Sequence, residues 1–389
     1  MHIEPNRIAA DIDAIAAFSE SPPSVGYSRP TFSEPWVQAR DYVIARAAAA
    51  GCKHRIDAAG NVHIRPTSIG WDEKVWLSGS HIDSVPTGGK YDGVMGVVVP
   101  LEVLRGGPAP LELVVWAEEE GTTFGLGMIG SRLAVGAETV ASMSQFRNSQ
   151  GQTFAEAGQP HGVRPHDVER FRADGYHGFL EVHAEQGPAM WETGVAVAVV
   201  TAIAGRKQFK VKLIGQPNHA GSTPMSYRHD ALVAAAKVVI GVREMAVSLG
   251  GGTVATVGRL DCEPNAINVI PGTVRLTVDL RSPDTVKLQD GQARLNELVP
   301  SAGTEFNCFV TEDQPVMPMN ADLCDRLTKL VRHTTTSGAL HDAAILAPLL
   351  PTAMLFVASK DGISHNPAEF SRAEDIAEAA RVLDRLVRE

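Results

Sequence analysis

The sequence predicts an α/β fold: a mostly parallel sheet packed between helices, with a smaller α+β unit inserted into it. Three observations lead there. Short apolar runs, VWLSGS (75–80), LELVVWA (111–117) and FLEVHAEQGP (179–188), alternate with helical periodicity, as strands of a buried parallel sheet do. Near residue 206 the spacing changes to strict alternation of polar and apolar residues, the pattern of strands with one solvated face. Beyond about residue 317 helical segments return.

Taken in order, IAADIDAIAAF is one amphipathic helix and WVQARDYVIARAAAA a second, ended by Gly51. The Pro/Ser-rich stretch SESPPSVGYSRPTFSEP between them is a loop. VMGVVVPLEVL, directly after Gly93, reads as a helix lying on a sheet. In the altered region KQFKVKLIG, GGTVATVGRL, TVRLTVDLR and TEFNCFVTE alternate as strands, while DALVAAAKVVIGVREMAV and VKLQDGQARLNELV are helices. Their order, βαββαβ, makes a compact unit with helices on one face of its sheet. LCDRLTKLVRH and AEDIAEAARVLDRLVRE are helices that rejoin the first part. The expected division is 1–206 with 318–389 as one domain and 207–317 as the insert.

A chain of 389 residues is long enough for two domains, and 44% apolar with 21% charged residues is ordinary globular composition. A net charge of -10 argues against a nucleic-acid partner held through phosphate neutralisation. Cys52, Cys262, Cys308 and Cys324 are scattered, so neither a disulfide framework nor a thiolate zinc site is indicated. The start, MHIEPNRIAADIDAI, lacks the basic and apolar regions of a signal peptide. The longest uncharged stretch, Ala343 to Ser359, is broken by Pro348 and Pro351 and is too short for a bilayer. The default expectation is a cytoplasmic enzyme with no membrane partner.

Chemistry-bearing residues gather where apolar runs stop. SGSHIDSV puts His81 at a strand end, where open α/β sheets place their sites; Asp83, two residues on, can turn back to the second ring nitrogen. A strand-end His in a turn is the other reading. Asp92, in GGKYDG, is either a turn former or a carboxylate offered on a sharp loop. Glu118, Glu119 and Glu120 follow LELVVWA directly. Three carboxylates at a buried strand's end repel one another unless cations offset them; as a solvated loop they need no function. Read functionally, one binds a metal and another acts as a general base. His183 lies in EVHAEQGP and His365 in GISHNP, each after an apolar stretch. His, Asp, Glu, His, His is a nitrogen/oxygen ligand set suited to Zn2+, Mn2+, Co2+ or Ni2+; with one bridging carboxylate it is enough for two ions. Gly125, Gly127 and Gly130 spell GxGxxG, but the acidic cluster separates them from the strand, so close helix packing explains them better than a nucleotide.

Together GSHIDSVPTGGKYDG, EEEG, HAEQGP, GQPNHAGSTPM, NVIPG, DLRSPD and GISHNPAE resemble the M20 metallopeptidase-like superfamily. Within it they resemble the hydantoinase/carbamoylase branch of N-carbamoyl-L-amino acid hydrolases, allantoate amidohydrolases and β-ureidopropionases. The resemblance spans essentially the whole chain. It implies metal ligands His81, Asp92 (bridging), Glu120, His183 and His365, with Glu119 as general base and Asp83 supporting His81. It implies that His219 polarises the scissile carbonyl and that Gln186, Asn268 and Arg281 hold a substrate carboxylate. It further implies two divalent ions per chain, and a homodimer in which the insert is a lid and dimerisation domain and His219 serves the neighbouring chain. The expected activity is hydrolysis of an N-carbamoyl (ureido) amino acid. The alternatives are an allantoate amidohydrolase and an M20-type aminoacylase or peptidase. A catalytically dead binding protein is a third class, against which the intact ligand set and Glu119 argue. Three positions depart from the pattern: Thr122-Thr123 in place of Ser-Arg, Leu340 for Gly, and Arg206 for Gln.

Overall fold

The apolar runs 75–80 and 111–117 become strands Val75–His81 and Leu111–Trp116, buried at every position. The structure, a computed structural model, describes residues 3–169 and 171–389, with the backbone alone for Val140 and Pro165. The chain divides into two compact units. One comprises Met1–Thr201, Pro318–Thr335 and Leu340–Glu389; the other comprises Ala202–Met317 with Thr336–Ala339.

In the first unit the central sheet runs, in spatial order, Val197–Ile203, Thr352–Val357, Tyr176–Ala184, Val75–His81, Leu111–Trp116, Val62–Pro66 and Cys52–Ile56. The four strands from Thr352–Val357 to Leu111–Trp116 are mutually parallel, and the flanking strands are antiparallel. The helix Val94–Arg105 packs on Val75–His81 and is covered in turn by helices Pro5–Ala17 and Ala373–Arg388. It is buried from Val94 to Leu104, as a helix apolar on all sides must be. Helix Glu34–Ala49 starts at Ser33, whose hydroxyl accepts the Trp36 N–H, and Gly51 follows its end at φ 78°. Of the three glycines expected to serve packing, Gly127 and Gly130 do, a Cβ on Gly130 lying 2.1 Å from Asn61 Oδ1; Gly125 has open space around it and is instead a turn residue at φ 85°.

The second unit has the order βαββαβ. Its antiparallel sheet runs Val254–Glu263, Thr273–Ser282, Gly205–Ile214, Glu305–Gln314. Burial alternates along Gly205–Ile214 and Thr273–Ser282. The inward side chains, among them Phe209, Val211, Leu276 and Val278, form a core with Ala234, Val238, Val242 and Leu295 of helices Ala231–Leu249 and Thr285–Ser301. Asp230 and Asp284 cap these helices, each carboxylate accepting two backbone N–H groups. Thr273 pairs with Ile214 at one end of the sheet, and Arg281 with Arg206 at the other.

Strand Cys52–Ile56 is partly exposed, and Val62–Pro66 escapes the hydrophobic pattern because it carries His63 and Arg65 into the interior. Their partner is Glu112, fully buried on the neighbouring strand. It is held by His63 Nδ1 at 2.7 Å, by Arg65, and by the Tyr176 hydroxyl at 2.8 Å. Asp57 takes the other His63 nitrogen at 3.2 Å. Burial opposes a charged imidazole, but Asp57 and Glu112 outweigh it and lift the His63 pKa to about 9. Burial would raise Glu112, but His63 and Arg65 bring it down to about 2. The His63 contribution to stability is therefore complete below its unfolded pKa of 6.5 and is lost as pH rises through 9. That of Glu112 is complete above 4.5 and is lost as pH falls through 2. The difference in thermal midpoint between native protein and His63→Gln should accordingly shrink as pH rises from about 6.5 to 9. A difference that stayed constant over that window would rule out a charged His63.

Candidate active site

Parallel strands end along a common edge, and the chemistry collects there. His81 closes Val75–His81, Glu118 to Glu120 follow Leu111–Trp116, His183 is next to last in Tyr176–Ala184, and His365 lies in the loop beyond Thr352–Val357. Asp92 sits in the turn before helix Val94–Arg105. Gly93 has φ 66°, and a Cβ there would come 2.4 Å from the His81 ring.

Asp92 is the meeting point. Its Oδ1 is 3.0 Å from His183 Nε2 and 3.7 Å from His81 Nε2, and its Oδ2 is 3.2 Å from His365 Nε2. His365 Nε2 is also 3.6 Å from Glu120 Oε2. His81, Asp92 and His183 form one set of converging donor atoms, and Asp92, Glu120 and His365 form another. Glu119 belongs to neither set. Its Oε2 lies 3.6 Å from His81 Nε2.

The imidazoles are oriented by backbone. His81 Nδ1 bonds to the Asp83 carbonyl at 3.0 Å, and His183 Nδ1 to the Ala184 carbonyl at 3.1 Å. Only a protonated Nδ1 can donate to a carbonyl, so each Nε2 keeps its lone pair for the cluster. His81 Nε2 is buried and has no hydrogen-bond partner among the described residues. The expectation that the Asp83 carboxylate would take the second His81 nitrogen needs refining. The carboxylate stands 3.7 Å away, and its Oδ2 instead accepts the Glu120 N–H at 3.1 Å.

The charges are out of balance. Burial, and then the nearby Asp92, push Glu120 up to about 7; burial, and then Asp83, do the same to Glu118. Burial and the neighbouring Glu120 and Asp342 raise Glu119 well above the carboxylate range, against the pull of His81. Asp92 alone is held well below it: burial is outweighed by His183, His365 and His81. Carboxylates that resist ionisation, two donor sets sharing one carboxylate, and an orphaned imidazole nitrogen fit divalent cations bound by nitrogen and oxygen.

Gln186 also reaches the cluster, its amide donating to Asp92 Oδ2 and to the Ser364 hydroxyl, both at 3.2 Å. Three other expected site residues lie in the second unit. His219 and Asn268 are adjacent, since His219 bridges to Val269 and the Ala220 N–H donates to the Asn268 carbonyl. Arg281 is at the opposite end of the sheet, bidentate to Asp279 and bonded to the Gly338 carbonyl. Arg206, directly across from it, pairs with Glu312. Sequence reasoning gave no role to Glu369, whose buried carboxylate accepts the N–H groups of Tyr91 and Asp92. The signal was its place in the GISHNPAE motif.

Residues 77–389 match Peptidase family M20/M25/M40. The chain is 34% identical to allantoate amidohydrolase of Escherichia coli (strain K12), over 93% of this chain and 92% of the relative. It is 36% identical to an N-carbamoyl-L-amino acid amidohydrolase of Geobacillus stearothermophilus, again over 93% and 92%. An amidase of the hydantoinase/carbamoylase family from Burkholderia multivorans superposes with a TM-score of 0.91 at 32% identity, covering 98% of this chain and 96% of that one.

The Gly93 turn can be tested directly. Gly93→Ala places a methyl against the His81 ring in a backbone region that Ala avoids. It should destabilise the protein by about 1–3 kcal/mol, read as a lower urea midpoint. An unchanged midpoint would mean that the turn yields without the imidazole.

Proposed function

Because the chain belongs to peptidase family M20/M25/M40, in its hydantoinase/carbamoylase branch, we propose that it hydrolyses the ureido C–N bond of an N-carbamoyl amino acid or related small carboxylate, releasing ammonia and CO2, with two divalent ions per chain. It is an amidohydrolase acting on C–N bonds of non-peptide amides. One observation carries the finer reading: Asp92 divides its two oxygens between two donor sets, and Glu119 stands beside them outside both.

His81, Asp92 and His183 would hold one ion, and Asp92, Glu120 and His365 the other. Bound there, the ions supply Lewis acidity and make water acidic enough to be deprotonated near neutral pH. Glu119 takes the proton of the attacking water and delivers it to the leaving nitrogen. His219 Nδ1 accepts the N–H groups of Gly221 and Ser222 at 3.0 and 3.1 Å, so the proton of a neutral ring is on Nε2, ready to donate to the scissile carbonyl as it gains charge. Arg281 has three of its five N–H donors engaged by Asp279 and Gly338; the remainder, with Gln186 and Asn268, takes the substrate carboxylate. The carbamate product of a ureido substrate falls apart to CO2 and ammonia. Allantoate, named in the E. coli relative, is the second reading, and an acyl or peptidyl substrate, after the family name, the third.

The test is release of free amino acid, with ammonia measured beside it, across N-carbamoyl, N-formyl and N-acetyl amino acids, and ammonia release from allantoate. Turnover of a ureido substrate is expected, and turnover of N-acetyl amino acids alone would overturn the proposal. On the active substrate Glu119→Gln should keep its metal and lose about 100-fold or more in kcat, because it removes a proton acceptor and no ligand. Glu120→Gln should lose metal as well. Equal metal and equal rate in the two variants would refute the assigned roles.

The second unit bears on assembly. From Thr273 to Arg281 is eight steps of extended strand, about 27 Å at about 3.4 Å per residue. His219 and Asn268 lie at the Thr273 end, so one copy of this unit cannot offer them and Arg281 to the same small substrate. This separation supports a homodimer in which the unit serves as lid and dimerisation domain and each chain lends His219 to its twin. Glu119→Ala and His219→Ala, each inactive alone, should regain about a quarter of native activity once subunits are exchanged, since half the dimers are mixed and each has one complete site. Demonstrated exchange with no recovery would place His219 in its own chain's site or outside catalysis.

A further inference from the structure

Glu369 lies far along the chain from Asp92 and yet holds it. It is 3% exposed. Its Oε2 accepts the N–H of Tyr91 at 2.8 Å and of Asp92 at 3.1 Å. A Cβ on Gly89 would fall 2.1 Å from that oxygen, so the carboxylate presses on a turn that only glycine permits. The Ser364 hydroxyl lies 3.3 Å from Glu369 Oε1 and 3.0 Å from Asp92 Oδ2. Glu369 thus grips the backbone of Asp92 directly and, through Ser364, borders the Asp92 oxygen that faces His365.

The two donor sets are supported differently. His81 and His183 are locked by the carbonyls of Asp83 and Ala184 within their own segments. Asp92 Oδ2 and His365 come from two loops of distant sequence. The bonds through Ser364 and Glu369 fasten the Asp92 loop to residues beside His365. His365 itself is half-exposed at φ 53°. We propose that Glu369 is the positioning residue of the Asp92–Glu120–His365 subsite: by tying these loops together it sets the affinity for the second ion and leaves the first nearly untouched. The inference rests on the two-ion reading given above.

The test titrates Zn2+ into chelator-stripped native protein and variants against a competing chromophoric chelator, with folding followed by circular dichroism. Native protein should bind two ions; if it binds fewer, the two-ion reading itself fails. Glu369→Ala should weaken one ion by about 10–100-fold, the usual effect of losing a group that orients a ligand, and hold the other as native protein does. Glu369→Gln should recover most of that loss. Its amide oxygen can accept the two backbone N–H groups, and its NH2 can donate to Ser364, whose own proton then stays on Asp92. Ser364→Ala, a smaller change, should weaken the same single ion, and it decides the matter should Glu369→Ala not fold. Two ions bound with native affinity in folded Glu369→Ala and Ser364→Ala, or both weakened alike, would overturn the proposal, because a purely structural carboxylate would lower stability without singling out one subsite.

Discussion

Negative charge crowded at the C-terminal edge of a buried parallel sheet constrains the rest of the first unit. Asp83, Asp92, Glu118, Glu119, Glu120, Glu181 and Asp342 lie in or beside one cluster, nearly all shielded from water. Repulsion at that density is tolerable only where each carboxylate has a partner of its own. The local structure supplies several: backbone N–H groups of Thr123 and Phe124 for Glu118, of Glu120 for Asp83, of Ala343 for Glu181, and the Ser131 hydroxyl for Asp342. What backbone cannot offset is left at Asp92, Glu119 and Glu120, where the histidines converge.

The same sheet shows the opposite outcome. Glu112, buried as deeply, is matched by His63, Arg65 and Tyr176 and is held low at about 2. Glu120, just beyond the end of the same strand and somewhat less buried, is pushed to about 7. The contrast is between a carboxylate matched by cationic side chains of its own fold and one buried among other carboxylates without such a match.

How much could be read from the residues depended on where the information lies. Buried strands announced themselves as short, mostly apolar runs, and the change to alternation at the second unit followed from its single solvated face. His81, Glu118 to Glu120 and His183 were legible because each lies where an apolar run stops, whereas Asp92 stands in the turn GGKYDG. The role of the Asp83 backbone was not, since every residue has a carbonyl and only geometry shows that His81 chooses it over the carboxylate. Glu369 closes the GISHNPAE motif, but its role was hidden for a similar reason: a carboxylate accepting backbone N–H groups from a distant loop leaves no spacing that reveals its partner. Strand Val62–Pro66 went unread because His63 and Arg65 look like surface residues until Glu112 appears beside them.

The strand order has a further consequence, in time rather than in space. Thr352–Val357 lies between Tyr176–Ala184 and Val197–Ile203, although the whole second unit is translated before it. As the polypeptide leaves the ribosome, the first unit must wait with two unpaired strand edges while the second can already close its own core. Such edges invite the wrong neighbour. The gap is filled only when synthesis passes Val357, and His365 and Glu369 emerge immediately afterwards. Completion of the sheet and assembly of the Asp92, Glu120 and His365 set are therefore nearly one event, whereas His81, Asp92 and His183 have all been synthesised well before it.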